Sequence, residues 1–419
     1  MTIIIFMFSS ETVMSSCSSS AVSSCESRQS RSISHPGALR LQTLILLAFL
    51  AASSAPTPLY SVYREAWGFS AITLTVIFGV YAIALLLALL VLGSLSDHIG
   101  RRPVIIGALL IEAIAMVAFM AATSVPLLIL ARLIQGVATG AATSVLAAGL
   151  MDLDRQRSPL INSVAPMVGL AVGALGTSML VQFAPAPLQL SFLALAVVFI
   201  LLVIAACFLP ETAARRPGAL AAMLPTISVP RQAWKALLLV APIDVAAWAL
   251  GGFYFSLGPT LTGRVTGMHS PIVGGVLILV LTMSAAVSVL LLRAWPAQRM
   301  LTSGTVALVA GVGATLWAIH STSAVLFFLG TIVAGFGFGT GFLGALRTLL
   351  PLAQPHERAG LMAAYYILSY LAFCLPAILA GIMTNAFGLI TASSYYGMAL
   401  MALGGAALIG VKLFPVDQD

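Results

Sequence analysis

The 419-residue sequence predicts an all-α membrane protein with twelve transmembrane helices in two six-helix pseudo-symmetric halves. Three observations predict it. The chain is 60% hydrophobic and 7% charged, whereas a soluble globular chain carries about 25% charged residues, so lipid must cover part of its surface. Apolar runs of about 20 residues, the length that crosses a hydrocarbon core, recur from Leu41 onward. When twelve spans are drawn through these runs, all but Arg64, Arg132 and Arg264 of the 19 Lys and Arg fall on one side. A miscounted helix would scramble that sorting.

Taken in order, the spans lie at about 41–62, 72–92, 103–122, 126–148, 161–183 and 188–209, then at about 236–259, 271–292, 301–319, 323–346, 359–383 and 392–413. The polar stretch 210–235 divides six from six, giving halves at 39–209 and 236–413. Residues 1–38 are Ser-rich and aperiodic, as in Ser15-Ser-Cys-Ser-Ser-Ser-Ala-Val-Ser-Ser24, and read as a disordered tail. Residues 414–419 form a short C-terminal tail. Cationic loops stay in the cytoplasm, which places both termini and the 210–235 linker there.

Composition excludes several classes. The net charge of +7 is scattered between apolar spans rather than gathered on one face, so nucleic acid is not an expected partner. Cys17, Cys25, Cys207 and Cys374 form no Cys-x-x-Cys pair or Cys/His cluster, so neither a disulfide framework nor a metal site is expected. His35, His98, His269, His320 and His356 lie in the tail or near span ends, where histidines are usually solvated. No Gly-x-x-x-x-Gly-Lys-Ser/Thr phosphate loop is present. No nucleophile sits beside a base, so an enzyme is not expected, and no cofactor is called for.

The charged loop between spans two and three reads Gly93-Ser-Leu-Ser-Asp97-His-Ile-Gly100-Arg101-Arg102-Pro103. It is a tight turn at a membrane surface, because neither flank offers water. Gly93 and Gly100 permit close backbone approach and positive φ. This loop resembles the signature of the major facilitator superfamily of transporters, Gly-x-Leu-x-Asp-x-x-Gly-Arg-Arg/Lys, at every fixed position. A second stretch, Arg132-Leu-Ile-Gln135-Gly136-Val-Ala-Thr-Gly140 in span four, is similar to the family's Arg-x-x-Gln-Gly-x-x-x-Gly. The equivalent of the first loop between spans eight and nine, Arg293-Ala-Trp-Pro-Ala-Gln-Arg299, has lost the Gly and Asp.

The resemblance covers about residues 40–413 and implies alternating access, with substrate held between the halves near the midplane. It implies that Asp97 accepts hydrogen bonds from the start of span eleven, near Glu357-Arg358, and that Arg101 and Arg102 pair with acids such as Asp152 and Asp154. Those contacts would latch the cytoplasmic side; the alternative is two arginines that merely anchor a turn. In proton-coupled members the span-four arginine is tied to proton movement. Arg132 could instead be a snorkelling arginine, about two turns from the outer surface.

Two acids lie inside spans. Glu112 and Asp244 are each costly if charged and unpaired, so each is expected to be neutral or partnered. The family's cavity is lined by spans one, four, seven and ten, which favours Asp244 on span seven, with Trp248 on about the same face. Glu112 could partner Arg132 or simply pack. Asp244, Arg132 and Glu112 are therefore the proton-coupling candidates. Tyr60, Gln135, Trp248, Tyr254, Tyr366 and Tyr370 are the substrate-cavity candidates. Span one (Ser53-Ser-Ala-Pro56-Thr-Pro58), span seven (Gly251-Gly252) and span ten (Gly335-Phe-Gly-Phe-Gly-Thr-Gly341) carry Gly or Pro breaks that suit cavity-lining helices.

Drug–proton antiporters of the family carry Gly-Pro-x-x-Gly-Gly in span five. Here Gly173-Ala174-Leu-Gly176-Thr177 stands at that place, without the Pro and the last Gly. Leu209-Pro-Glu-Thr212 is similar to a short run in the same exporters, and sugar-porter loop motifs are missing. The expectation is a monomeric, proton-coupled secondary transporter of a small amphipathic or aromatic solute in a bacterial inner membrane, with efflux slightly favoured. A proton-independent facilitator or an uptake symporter of the same fold, and a receptor or scaffold built on it, are the alternatives.

Overall fold

The structure is a computed structural model that describes residues 33–268, 270–354 and 356–413. Among the described residues, twelve helices are long and apolar enough to cross a membrane. They are α1 (His35–Trp67), α2 (Ala71–Leu92), α3 (Arg101–Met120), α4 (Val125–Leu153), α5 (Ser158–Phe183), α6 (Pro187–Ala206), α7 (Arg231–Ser256), α8 (Pro271–Leu292), α9 (Ala297–Ser321), α10 (Ala324–Leu352), α11 (Arg358–Phe387) and α12 (Leu389–Lys412). Several run past the apolar stretches read from the sequence. Helical hydrogen bonding continues into the interface, where polar residues are tolerated and hydropathy gives no signal. Thus α4 continues to Leu153, and α1 starts at His35, inside the stretch 1–38 expected to be a tail. The rest of that tail up to Ser32, residues 414–419 and His269 lie outside the described residues.

The first helix of each set of six is broken the same way. α1 divides at Ala55, ahead of Pro56. α7 ends at Ser256 and a short helix, Gly258–Thr266, follows with Pro at its start. Both short pieces end on a left-handed glycine, Gly68 (φ 64°) and Gly267 (φ 69°). The next helices, α2 and α8, each begin after a serine N-cap, Ser70 and Ser270.

Two hydrophobic clusters form the interior. One is drawn from α1 to α6, with Phe49, Phe119, Phe192 and Phe199 at its centre. The other is drawn mainly from α7 to α12 and takes in Ala71 and Phe78 of α2 and Ala174 of α5. α2 packs on α11 and α5 packs on α8. Gly136 and Gly140 of α4 leave no room for a side chain against α2. A Cβ on Gly136 would lie 2.6 Å from the Tyr81 carbonyl and 2.7 Å from Ala84 Cβ.

Candidate functional site

The signature loop folds as a one-turn helix, Ser96–Ile99, between α2 and α3. Gly100 takes φ 104°, which a side chain would resist. Gly93 has right-handed dihedrals at φ −57°, so the positive φ expected there is corrected: it caps the end of α2 and opens the turn that leads to Ser96. The expected partner of Asp97 also needs correction. Among the described residues its carboxylate bonds Arg101 Nη1 at 2.5 Å rather than the start of α11. Arg101 reaches Asp152 at 3.2 Å and Ser96 Oγ at 2.5 Å. Arg102 makes no ion pair among the described residues; Asp154 instead caps its own turn, accepting from the Gln156 and Arg157 amides.

The sequence reading missed Glu211. Its carboxylate accepts from Arg101 N at 2.7 Å and Arg102 N at 3.2 Å, covering the orphan donors at the start of α3. Beside it, Thr212 donates to Asp152 at 3.0 Å. The Leu209-Pro-Glu-Thr212 run was visible in the sequence, but nothing in its spacing said which helix start it would reach.

Inside the first six helices, Pro56 sets up a polar site. Proline has no N–H and leaves the carbonyl four residues back without its helical donor. That carbonyl, Ala52 O, accepts from Gln135 Nε2 at 3.0 Å. Gln135 Nε2 also donates to Glu112 Oε1 at 3.1 Å, and Gln135 Oε1 accepts from Arg132 Nη1 at 2.6 Å. Arg132 further donates to Ser53 O at 3.1 Å and twice to Tyr60 OH, at 2.9 and 2.5 Å. Its guanidinium carbon lies 5.1 Å from the Tyr81 ring centroid and 5.4 Å from that of Tyr60. Arg132, Glu112, Gln135 and Tyr60 are all buried.

A central arginine costs about 2.5–3.5 kcal/mol to insert in a helix crossing a membrane, and a hydrogen bond to a charged group returns about 1.5–3 kcal/mol. Four such bonds hold Arg132 in the interior. It is 1% exposed, which rules out the snorkelling reading. Glu112 meets Arg132 through Gln135, and Glu112 Oε2 has no hydrogen-bond partner among the described residues.

The second polar centre lies between α7 and α11. Asp244, buried on α7, accepts from Tyr365 OH at 2.6 Å and from Ser369 Oγ at 2.8 Å. Tyr365 and Ser369 stand one turn apart, so a single face of α11 delivers both hydroxyls. One turn beyond Asp244, Trp248 is ringed by aromatics. Its ring centroid is 5.1 Å from Tyr370, 5.6 Å from Phe373, 6.0 Å from Phe342 and 6.4 Å from Phe338. Tyr366 joins through Tyr370 at 6.3 Å. The Trp248 indole N–H is buried without a partner among the described residues.

Of the expected cavity residues, Trp248, Tyr366 and Tyr370 come together here. Tyr60 and Gln135 belong to the Arg132 network. Tyr254 stands apart, buried against α10 with its hydroxyl 3.2 Å from Thr331 Oγ1. Gly251 and Gly252 lie within regular helix; at Gly252 the missing side chain admits the α11 backbone at Phe373, while Gly251 faces the Phe338 and Phe373 rings. Tyr365 and Ser369, which α11 carries alongside Tyr366 and Tyr370, hold Asp244. Phe338, Phe342 and Phe373 were not among the expected site residues.

A twelve-span helical bundle with a charged interhelical signature loop and two buried polar centres defines a class of membrane transporter. Comparison with known proteins gives the family: residues 43–377 match the model of the Major Facilitator Superfamily, and the chain belongs to it. It is thus a secondary transporter of the multi-pass type and not an enzyme. A curated relative, Multidrug resistance protein MdtL of Citrobacter koseri, is 28% identical over 282 residues, 64% of this chain and 70% of that protein.

Solved structures share the fold. The nucleoside transporter NupG superposes with TM-score 0.67 at 16% identity, over 90% of this chain and 99% of that one. The human organic anion transporter MFSD10 gives 0.66 at 18%, over 90% and 100%. A bacterial homologue of the human lysosomal transporter Spinster, solved inward-facing and occupied, gives 0.70 at 14%, over 90% and 96%.

Proposed function

We propose that this protein exports a small amphipathic or aromatic solute in exchange for protons across a bacterial inner membrane. The observation that carries this reading is Asp244 set beside Trp248. An acid held by two hydroxyl donors adjoins an aromatic cluster that contains an unpartnered indole N–H. The cluster offers a flat apolar solute stacking surfaces and one hydrogen bond donor. Asp244 offers a buried site whose charge must change for a proton to cross the hydrocarbon. Exchange rather than co-transport is favoured by the distant likeness to a multidrug resistance protein and by the partial antiporter glycine pattern in α5.

The halves 39–209 and 236–413, joined by the 210–235 linker, rock against each other about the midplane. The signature loop and both termini face the cytoplasm, where the cationic loops are retained. Arg132 and Glu112 form a second polar centre that takes part in proton movement, with Gln135 as the relay between them. The test of the solute site is binding. With purified protein, a cationic aromatic dye such as ethidium should raise the thermal midpoint of wild type. Trp248→Ala should lose most of that shift while its ligand-free midpoint stays within a few degrees. An equal dye-dependent shift in both proteins would move the solute site elsewhere.

A further inference from the structure

The end of the bundle away from the signature loop has two seams, α2 against α11 and α5 against α8, and both are closed by matching devices. On the first seam, Ser70 caps α2, its Oγ accepting from Thr73 N at 3.2 Å. Ala71 N, one of the donors a helix start leaves over, donates across the seam to Asn385 Oδ1 in the last turn of α11 at 3.3 Å. On the second seam, Ser270 caps α8, its Oγ accepting from Ile272 N at 3.3 Å. The same Oγ donates across the seam to Gln182 Oε1 in the last turn of α5 at 3.0 Å. In both cases a side-chain amide at the end of one interface helix holds the start of its partner.

Beneath each amide a glycine faces a hydroxyl residue. A Cβ on Gly381 of α11 would lie 2.9 Å from Thr75 Cγ2 of α2, and a Cβ on Gly275 of α8 would lie 2.7 Å from Ser178 Cβ of α5. The seams can close this tightly only because those positions lack side chains. At the signature end no such tie joins the loop to α11 among the described residues. Asp97 is paired with Arg101, and Glu357, ahead of α11, accepts from Gln232 Nε2 and Gln354 N.

We infer that Gln182 and Asn385 are positioning residues of an outer gate, a pair of amide latches that hold the far seams shut while the signature end is released. Their bonds break when the far seams open, as alternating access requires. This rests on the alternating-access reading above. Each bond is a modest one at the water interface and shifts the balance of states on the order of fivefold. That suffices in a carrier whose two states must stay close in free energy.

The test uses the full chain in lipid nanodiscs, with Cys17, Cys25, Cys207 and Cys374 replaced by Ser or Ala. Spin labels at Thr123→Cys, between α3 and α4, and Phe387→Cys, at the end of α11, report the far-end separation by pulsed electron resonance. The parent protein should give chiefly the short distance. Gln182→Ala combined with Asn385→Ala should raise the long-distance fraction about tenfold or more, with each single variant between. Gln182→Glu and Asn385→Asp keep the accepting oxygens and should retain the short distance. Gly275→Val, with Gly381→Ala as the milder second wedge, should open the seams whatever the amides do. If the wedges lengthen the distance and the alanine variants leave it unchanged, the latch is overturned and alternating access stands. If neither wedge lengthens it, the alternating-access reading fails and takes the latch with it.

Discussion

Arg132 and Glu112 share one buried hydrogen-bond chain without meeting: Gln135 accepts from the guanidinium at 2.6 Å and donates to the carboxyl at 3.1 Å. The relay depends on a carbonyl that Pro56 leaves free, so the proline, the amide, the arginine and the carboxyl group form one unit. Charge buried in this way is held by geometry, and its members should not be separable by mutation.

Gln135→Ala should therefore be among the more damaging single changes in the chain. It strips a partner from Arg132, from Glu112 and from Ala52 O at once. Leaving a buried polar group without its partner costs about 1–3 kcal/mol, here at three groups together, and thermal unfolding in detergent should show a correspondingly large drop. Glu112→Gln, which keeps an acceptor towards Gln135, should fall much less. Equal midpoints for Gln135→Ala and wild type would show that the chain is not a structural unit.

Tyr60→Phe removes the oxygen that accepts two Arg132 bonds while keeping the ring beside the guanidinium. A loss of about 1.5–3 kcal/mol per charged hydrogen bond sets the expected scale, partly offset if Arg132 finds another acceptor. Differential scanning of the purified variant measures it. An unchanged midpoint would mean that Arg132 is held by Ser53 O and Gln135 alone.

Glu211, at the start of the polar linker, caps α3. Glu211→Ala should cost about 1 kcal/mol, as losses of helix caps do, with a visible rise in hydrogen exchange at the Arg101 and Arg102 amides. Protection that stays the same would show that solvent replaces the carboxylate at no cost.

Gly136→Leu would drive a side chain into the Tyr81 carbonyl and Ala84, where even a Cβ has 2.6 Å. Overpacking costs about 1–3 kcal/mol and often more where backbone must move. The variant should show reduced yield of monodisperse protein on size exclusion, whereas Gly107→Leu in α3, with open space around it, should behave as wild type.

The span count was legible because a bilayer imposes one length and one polarity on every helix. Residues at the interface carry no such constraint, which is why α1 and α4 outran the apolar runs that announced them. Arg132 and Asp244 stood out as charged residues where charge is expensive. Their pairing did not: Tyr60 was expected to line the cavity rather than to hold Arg132, Tyr365 and Ser369 are ordinary in a helix, and only the packing of α11 on α7, or α1 on α4, makes them donors or acceptors. The Asp97 tie to α11 was drawn from the family, and here the carboxylate pairs with Arg101 instead. Nothing in the loop's spacing states which partner that carboxylate takes.

The most direct measurement of the central claim is proton movement driven by solute. Purified protein would be placed in liposomes with a trapped pH dye and an imposed proton gradient, and challenged with a panel of amphipathic and aromatic solutes. The account predicts proton flux that appears only with a transported solute and disappears in Asp244→Asn, while that variant still binds the solute. Solute movement without proton flux, equal in wild type and Asp244→Asn, would contradict it and leave a facilitator.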